Sequence, residues 1–254
     1  MINIVIPMAG RGSRFINAGY QLPKPLIPIH GHAMIEYVIK NLKSSRQQRF
    51  LFLCLKEHLE QYNLKHDLEK LAPGCAVIPV DRVTEGAACT VLLAKEYIDN
   101  DEPLLIANSD QYVEIEMDDF LDMAEKGSDG FIMTMTADDP KWSFIGYDEE
   151  KRVTVVREKE VISNEATVGI YYYRTGSGYV RYAEQMIEKD IRVNGEFYVA
   201  PVYNEMIADG RKVGFWNIGS AMHGLGTPED LTLFKGKPVS GKVFGTVNEK
   251  EVGK

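Results

Sequence analysis

Four apolar runs of strand length, at residues 2–6, 50–55, 76–80 and 103–107, alternate with segments of helical periodicity through the first half of the chain. Strands separated by helices predict βαβ units and a mainly parallel sheet covered on both faces. Residues 33–42 set Met34, Ile35, Val38, Ile39 and Leu42 at helical spacing, and 56–71 and 86–98 read as further helices. Past Gly130, strand-like runs at 131–136, 144–147, 153–157 and 167–173 follow in close order, which predicts antiparallel additions to the sheet. Helices at 179–188 and 197–207 and a strand at 212–216 complete the pattern.

A chain of 254 residues is long enough to bury a large core without metal or disulfide staples. No apolar run approaches the roughly 18 residues that a membrane span needs, and residues 1–7 read as a first strand rather than a signal peptide. The expectation is a cytoplasmic protein without a membrane partner. Cys54, Cys75 and Cys89 have no metal-ligand spacing and read as reduced thiols.

The 29 Lys and Arg against 37 Asp and Glu give a net charge of −8, which argues against nucleic acid as a partner. The charge is uneven. Residues 1–50 hold seven cations (Arg11, Arg14, Lys24, Lys40, Lys43, Arg46, Arg49) and one acid, Glu36, so this stretch carries 7 − 1 = +6 and the remainder −8 − 6 = −14.

In a doubly wound sheet ligands bind beyond the carboxyl ends of the strands. The loop after the first strand reads Pro7, Met8, Ala9, Gly10, Arg11, Gly12, Ser13, Arg14. Glycines either side of one residue let backbone N–H groups approach a phosphate, and an arginine two residues on adds a charged, bidentate donor. Phe15 stands where a dinucleotide-binding loop has its third glycine, and no GK[ST] triplet is present. Lys24, between Pro23 and Pro25, is presented from a stiff loop that cannot be helical.

With these two segments the chain resembles the sugar-phosphate nucleotidylyltransferase family, whose hallmark is a strand, a G-x-G-[ST]-R loop and then P-K-P-[LM]. Gly10, Gly12, Ser13, Arg14, Lys24 and Pro25 match, and the resemblance runs from Ile2 to about Leu231. It implies a Rossmann-like three-layer α/β fold of GT-A type, with a mixed, mainly parallel central sheet. It also implies one catalytic domain over residues 1–234, with the nucleotide-binding half at about 1–130 and the acceptor-binding half at about 131–234. Residues 235–254 are expected to form a loosely held tail, too short for the left-handed β-helix of bifunctional relatives.

Site roles follow from the same resemblance. Arg14, Lys24 and Asp110 would be catalytic, with Mg²⁺ on Asp110 at the end of Asn108-Ser109-Asp110. Met8, Ala9, Gly10, Arg11, Gly12 and Ser13 would hold the triphosphate, and Thr84, Glu85, Gly86 and Ala87 the base. Lys159, Glu165, Gly169 and Glu196 would hold the acceptor. Two positions depart from the pattern: Ala87 replaces a Thr of the base loop, and Gly224 stands where a second metal-binding Asp is often found, with His223 as a weak substitute.

The implied reaction moves a nucleoside monophosphate from a triphosphate, CTP or UTP first, to a phosphorylated acceptor, foremost a sugar 1-phosphate. Pyrophosphate leaves, and the product would feed surface polysaccharide synthesis. CTP-dependent transfer to phosphocholine or phosphoglutamine is an alternative within the class. A GT-A glycosyltransferase or a non-catalytic nucleotide-binding subunit are alternatives outside it, and a homo-oligomer is compatible with all of them.

Overall fold

The computed structural model describes residues 1–244. In chain order its strands are β1 (Ile2–Met8), β2 (Pro28–Ile29), β3 (His32–Ala33), β4 (Gln48–Leu55), β5 (Ala76–Val80), β6 (Leu104–Ala107), β7 (Gln111–Val113), β8 (Gly130–Thr136), β9 (Ser143–Tyr147), β10 (Val153–Glu158), β11 (Glu165–Tyr173), β12 (Val213–Asn217) and β13 (Met222–Gly224). Nine of them form one mixed sheet. β5, β4, β1 and β6 lie side by side and parallel. β11 then joins β6 antiparallel and pairs with β8, which carries β12 as a parallel neighbour. The start of β11 also meets β9, which pairs with β10.

Alternation along β1 sorts the core into two layers. Ile2, Ile4, Ile6 and Met8 face the helices Met34–Asn41 and Met117–Ala124, while Val5 faces Ala87–Leu92 and Gly176–Glu188. The expected three-layer α/β architecture is what forms. A third apolar cluster joins Phe15, Ile27, Ile29, Met34 and Tyr37 to Leu225, Leu231 and Phe234. It ties the loop after β1 to the helix Pro228–Lys235, whose start is capped by Thr227 Oγ1 accepting the Asp230 N–H at 3.1 Å.

Several elements differ from the periodicity reading. Residues 56–71 break into Lys56–Gln61 and Leu64–Leu71, and 86–98 into Ala87–Leu92 and Lys95–Ile98. At the second break Leu93 and Ala94 donate to carbonyls only three residues back, those of Thr90 and Val91, so the helix tightens and stops. The expected helix 197–207 begins only at Val202, after Pro201. Residues 197–200 are irregular instead, tied by Phe197 to the Glu85 carbonyl at 2.8 Å. Lys24 is not excluded from helix: it opens a single 3₁₀ turn, Lys24–Leu26, whose first positions need no N–H donor from Pro25.

Of the segment expected to be a tail, residues 245–254 lie outside the described residues. Before them, a short helix Pro238–Lys242 forms and Phe244 stacks on His32 with centroids 3.7 Å apart. Cys54, Cys75 and Cys89 are free thiols, and burial pushes Cys54 up to about 12. Among the described residues no helix is long and apolar enough to cross a membrane.

Candidate active site

The carboxyl ends of β1 and β6 open on a cleft of about 310 Å³. Met8 and Ala9 are buried, one in each core layer, so they anchor the loop rather than offer side chains. Gly12 adopts φ 65°, and a Cβ there would lie 3.2 Å from the Lys24 Cβ. Glycine thus lets the loop close on Lys24. The helix Ser13–Asn17 follows, held by Phe15, which is 1% exposed and contributes about 2 kcal/mol by its burial. Arg14 projects into the cleft from this turn, whereas Gly10, Arg11 and Ser13 are exposed beside it.

Lys24 Nζ donates to Asp110 Oδ2 at 2.9 Å, with both side chains about one quarter exposed (24% and 25%). Asp110 lies three residues past the end of β6 and directly before β7. Its carbonyl accepts the Leu225 N–H at 2.8 Å, and a Cβ on Gly226 would lie 2.7 Å from its Oδ2. Arg14, Lys24 and Asp110, scattered over almost a hundred residues, therefore line one cleft.

The expected base loop stands at one wall. Gly86 has φ 138°, with space for a Cβ filled by the Phe197 carbonyl 2.3 Å away, and its own carbonyl accepts Thr84 Oγ1 at 2.8 Å. Ala87 lines the cleft, while the Glu85 carboxylate turns to Arg192 at 2.6 Å.

On the acceptor side the expected residues separate. Gly169, at φ 83°, sits in a bulge of β11 that abuts Asn108, and it lines the cleft. Lys159 Nζ donates to the Tyr198 hydroxyl at 2.6 Å, at the cleft edge. Glu196 closes the tight turn Asn194-Gly195, both at positive φ, and its charge acts on Tyr198. Glu165 is not brought to the cleft: it is 7% exposed and accepts from Thr134 and Asn217, each at 2.7 Å. Its position on β11 aims it into the sheet edge, where it satisfies buried donors.

Trp142, Ser143 and Tyr198 are cleft residues that the sequence reading did not single out. Together with Thr167, Tyr171 and Glu158 they line the cleft. Thr167 Oγ1 and the Tyr171 hydroxyl are hydrogen-bonded at 3.0 Å, and Ser143 Oγ donates to Glu158. Thr167 and Tyr171 belong to the same segment, residues 165–171, whose resemblance to the family pattern pointed to Gly169, whereas Ser143 carried no signal beyond strand propensity. The charge pair Glu158-Lys159 did carry one.

The second carboxylate that the resemblance led one to expect has no side chain at Gly224. His223 does not substitute: it is buried, its ring sits between Glu114 and Lys237, and it faces away from the cleft while its strand neighbours Met222 and Gly224 line it. Asp230, in the first turn of its helix, lines the cleft instead, and a Cβ on Gly224 would lie 3.4 Å from its Oδ2. Among the described residues no three His, Cys, Asp or Glu side chains form a metal cage. Oxygen donors from Asp110 suit Mg²⁺, which is commonly held by one or two carboxylates and substrate phosphates.

Burial raises the Glu158 carboxyl above its ordinary value of 4.5, against the opposing effects of Ser143 and Lys159. The folded state thus holds this proton more tightly than the unfolded chain, so the stability it contributes is complete below 4.5 and lost as pH rises through the raised folded value. Glu158→Gln, neutral throughout, is expected to match the parent near about pH 4 and to gain thermal midpoint over it by about pH 8. Parallel melting curves across that range would refute the buried-acid assignment.

Comparison with known proteins completes the site. A family model described as "Nucleotidyl transferase" matches residues 4–231. The bifunctional protein GlmU of Methanococcus maripaludis is 25% identical over 260 residues, covering 97% of this chain and 58% of its own. Across three GlmU relatives the chain spans 39%, 50% and 58% of their length. The crystal structure of a nucleoside-diphosphate-sugar pyrophosphorylase from Vibrio cholerae superposes with TM-score 0.80 at 26% identity, covering 92% of this chain and all (100%) of that one. An inositol-1-phosphate CTP transferase from T. maritima shares the fold, with TM-score 0.72 at 15% identity and 90% of each chain covered. With a model match over nearly its whole described length, and with Arg14, Lys24 and Asp110 gathered in one cleft, the chain belongs to the nucleotidyl transferase family.

Proposed function

We propose that the protein transfers a nucleoside monophosphate from a triphosphate, with CTP and UTP placed first, to a phosphorylated acceptor of the sugar 1-phosphate kind, releasing pyrophosphate. The convergence of Arg14, Lys24 and Asp110 beyond the ends of β1 and β6 is the observation that carries this reading. Residues 1–130 would hold the nucleotide and 131–234 the acceptor.

An acceptor phosphate oxygen attacks the α-phosphorus, and the bond to the β-phosphate bridge breaks. The protein's part is positioning and charge neutralisation, because two polyanions must be brought together. Arg14 and the backbone at 10–13 face the β- and γ-phosphates, and Lys24 faces the charge that develops at the α-phosphate. Mg²⁺ held by Asp110 would supply further neutralisation of the phosphate oxygens. Lys159 holds the acceptor phosphate from the cleft edge, near the backbone of Gly169.

The hydroxyls of Ser143, Thr167 and Tyr171 beside Glu158 form a hydrogen-bonding wall. These hydroxyls support a polyol acceptor such as a sugar 1-phosphate, and the rings of Trp142, Tyr171 and Tyr198 beside Glu158 support a quaternary ammonium such as phosphocholine as the second reading. The glycosyltransferase reading is set aside by the family match. A panel of four triphosphates against sugar 1-phosphates, phosphocholine and phosphoglutamine, scored by pyrophosphate release, tests the rest. Turnover is expected with a pyrimidine triphosphate and a sugar 1-phosphate, and no release with any pair would point to a non-catalytic subunit.

A further inference from the structure

The cleft contains a buried side chain that the reaction above leaves unused. Gln111, the first residue of β7, is 2% exposed and lines the cleft next to Asp110. Neither its Oε1 nor its Nε2 has a hydrogen-bond partner among the described residues. A buried carboxamide left without partners costs about 1–3 kcal/mol per group, so an apolar residue would serve a structural role better. In the register of β7 with β13, Gln111 stands directly opposite Gly224. Side chains at directly opposed positions share a face of the ribbon. Gln111 therefore belongs to the face from which Gly224 presents no side chain.

Asp230 reaches the same place from another element. Thr227 already caps the helix through the Asp230 backbone N–H, so the Asp230 carboxylate has no capping duty there. It lies over Gly224, with Lys141 Nζ 3.8 Å from Oδ1 and itself shared with Asp139 at 3.5 Å. Asp110 closes on the same short backbone two residues further on, at Gly226. Glycine at 226 leaves room for one carboxylate, and glycine at 224 exposes the other.

We propose that Asp230 and Gln111 together replace the side chain that Gly224 lacks and, with Asp110, seat a divalent cation that also binds the phosphates of the nucleotide. The inference rests on the reading of the cleft under Proposed function. Two carboxylates and one amide oxygen are hard donors of the type Mg²⁺ and Mn²⁺ take, with phosphate oxygens completing the shell. Asp230 supplies charge and Gln111 a neutral donor.

Mn²⁺ binding, followed by electron paramagnetic resonance with α,β-methylene-CTP or α,β-methylene-UTP present, tests this without turnover. Asp230→Asn is expected to weaken Mn²⁺ binding by about 10-fold or more, and Gly224→Asp placed in that background is expected to recover most of the loss. Gln111→Met is expected to weaken Mn²⁺ several-fold while its thermal midpoint stays level or rises, whereas a purely structural glutamine would lower the midpoint. Wild-type Mn²⁺ binding in Asp230→Asn, together with its loss in Asp110→Asn, would overturn the proposal and leave the cleft reading standing. Wild-type binding in Asp110→Asn as well would overturn both.

Discussion

Lys24→Ala is expected to lower turnover by about 10²-fold or more while the fold persists, the size of effect seen when one preorganised donor to a developing anion is removed. The ammonium group is held by the 3₁₀ turn Lys24–Leu26, which follows Pro23, and by its contact with Asp110 at 2.9 Å. Its position is therefore set before any substrate arrives, and the rate loss reports charge rather than disorder. Both partners are partly exposed, so the ion pair itself adds little to stability. Lys24→Arg is expected to recover only a small part of the rate, because the planar guanidinium occupies a different volume against Gly12. Pyrophosphate release measured with each variant, beside its melting curve, checks both statements, and wild-type turnover in Lys24→Ala would remove this residue from the mechanism.

Gly86→Ala is expected to destabilise the protein by about 3 kcal/mol or more, a fall of roughly 10 °C in thermal midpoint for a domain of this size. Gly86 has φ 138° and ψ 170°, a region essentially closed to residues with a Cβ. The added methyl would also sit 2.3 Å from the Phe197 carbonyl. Relief requires residues 197–200 to move, and Tyr198, Val199 and Ala200 line the cleft. The same substitution should therefore raise KM for the acceptor as well as the nucleotide. Urea unfolding and steady-state kinetics on one preparation would show the two losses together, and an unchanged midpoint would mean that this contact is loose.

Much of the scaffold was legible from local pattern. β1, β4 and β6 are dense apolar runs, as parallel strands buried on both faces must be, while β5 at the sheet edge is half-buried. The residues expected to meet phosphate could be proposed because their chemistry sits in two short segments, Gly10 to Arg14 and Pro23 to Pro25, from which Arg14 and Lys24 reach the cleft. What was hidden depends on partners distant in sequence. Glu165 carries a functional-looking charge, yet its role is fixed by Thr134 and Asn217 on neighbouring strands. Asp230 reads as an ordinary first-turn acid until the fold sets it over Gly224. His223 looks available until alternation along β13 turns it away from the cleft. Helix breaks at 62–63 and 93–94 were invisible because both sides keep the same apolar spacing.

β11 has a consequence for how members of such a lineage diversify. One strand carries Thr167, Val168, Gly169 and Tyr171 into the cleft and is also stitched to β6 by the pairing of Ile170 with Ala107. A slip of one residue there would invert every side chain, so the reach from Asp110 to the wall of Thr167 and Tyr171 is locked by ladder geometry. New specificities can instead be written into the connections that end at Trp142 and Tyr198, which border the cleft without belonging to that ladder. Drift in those loops would alter what the cleft recognises, while the span between Asp110 and β11 stays the same.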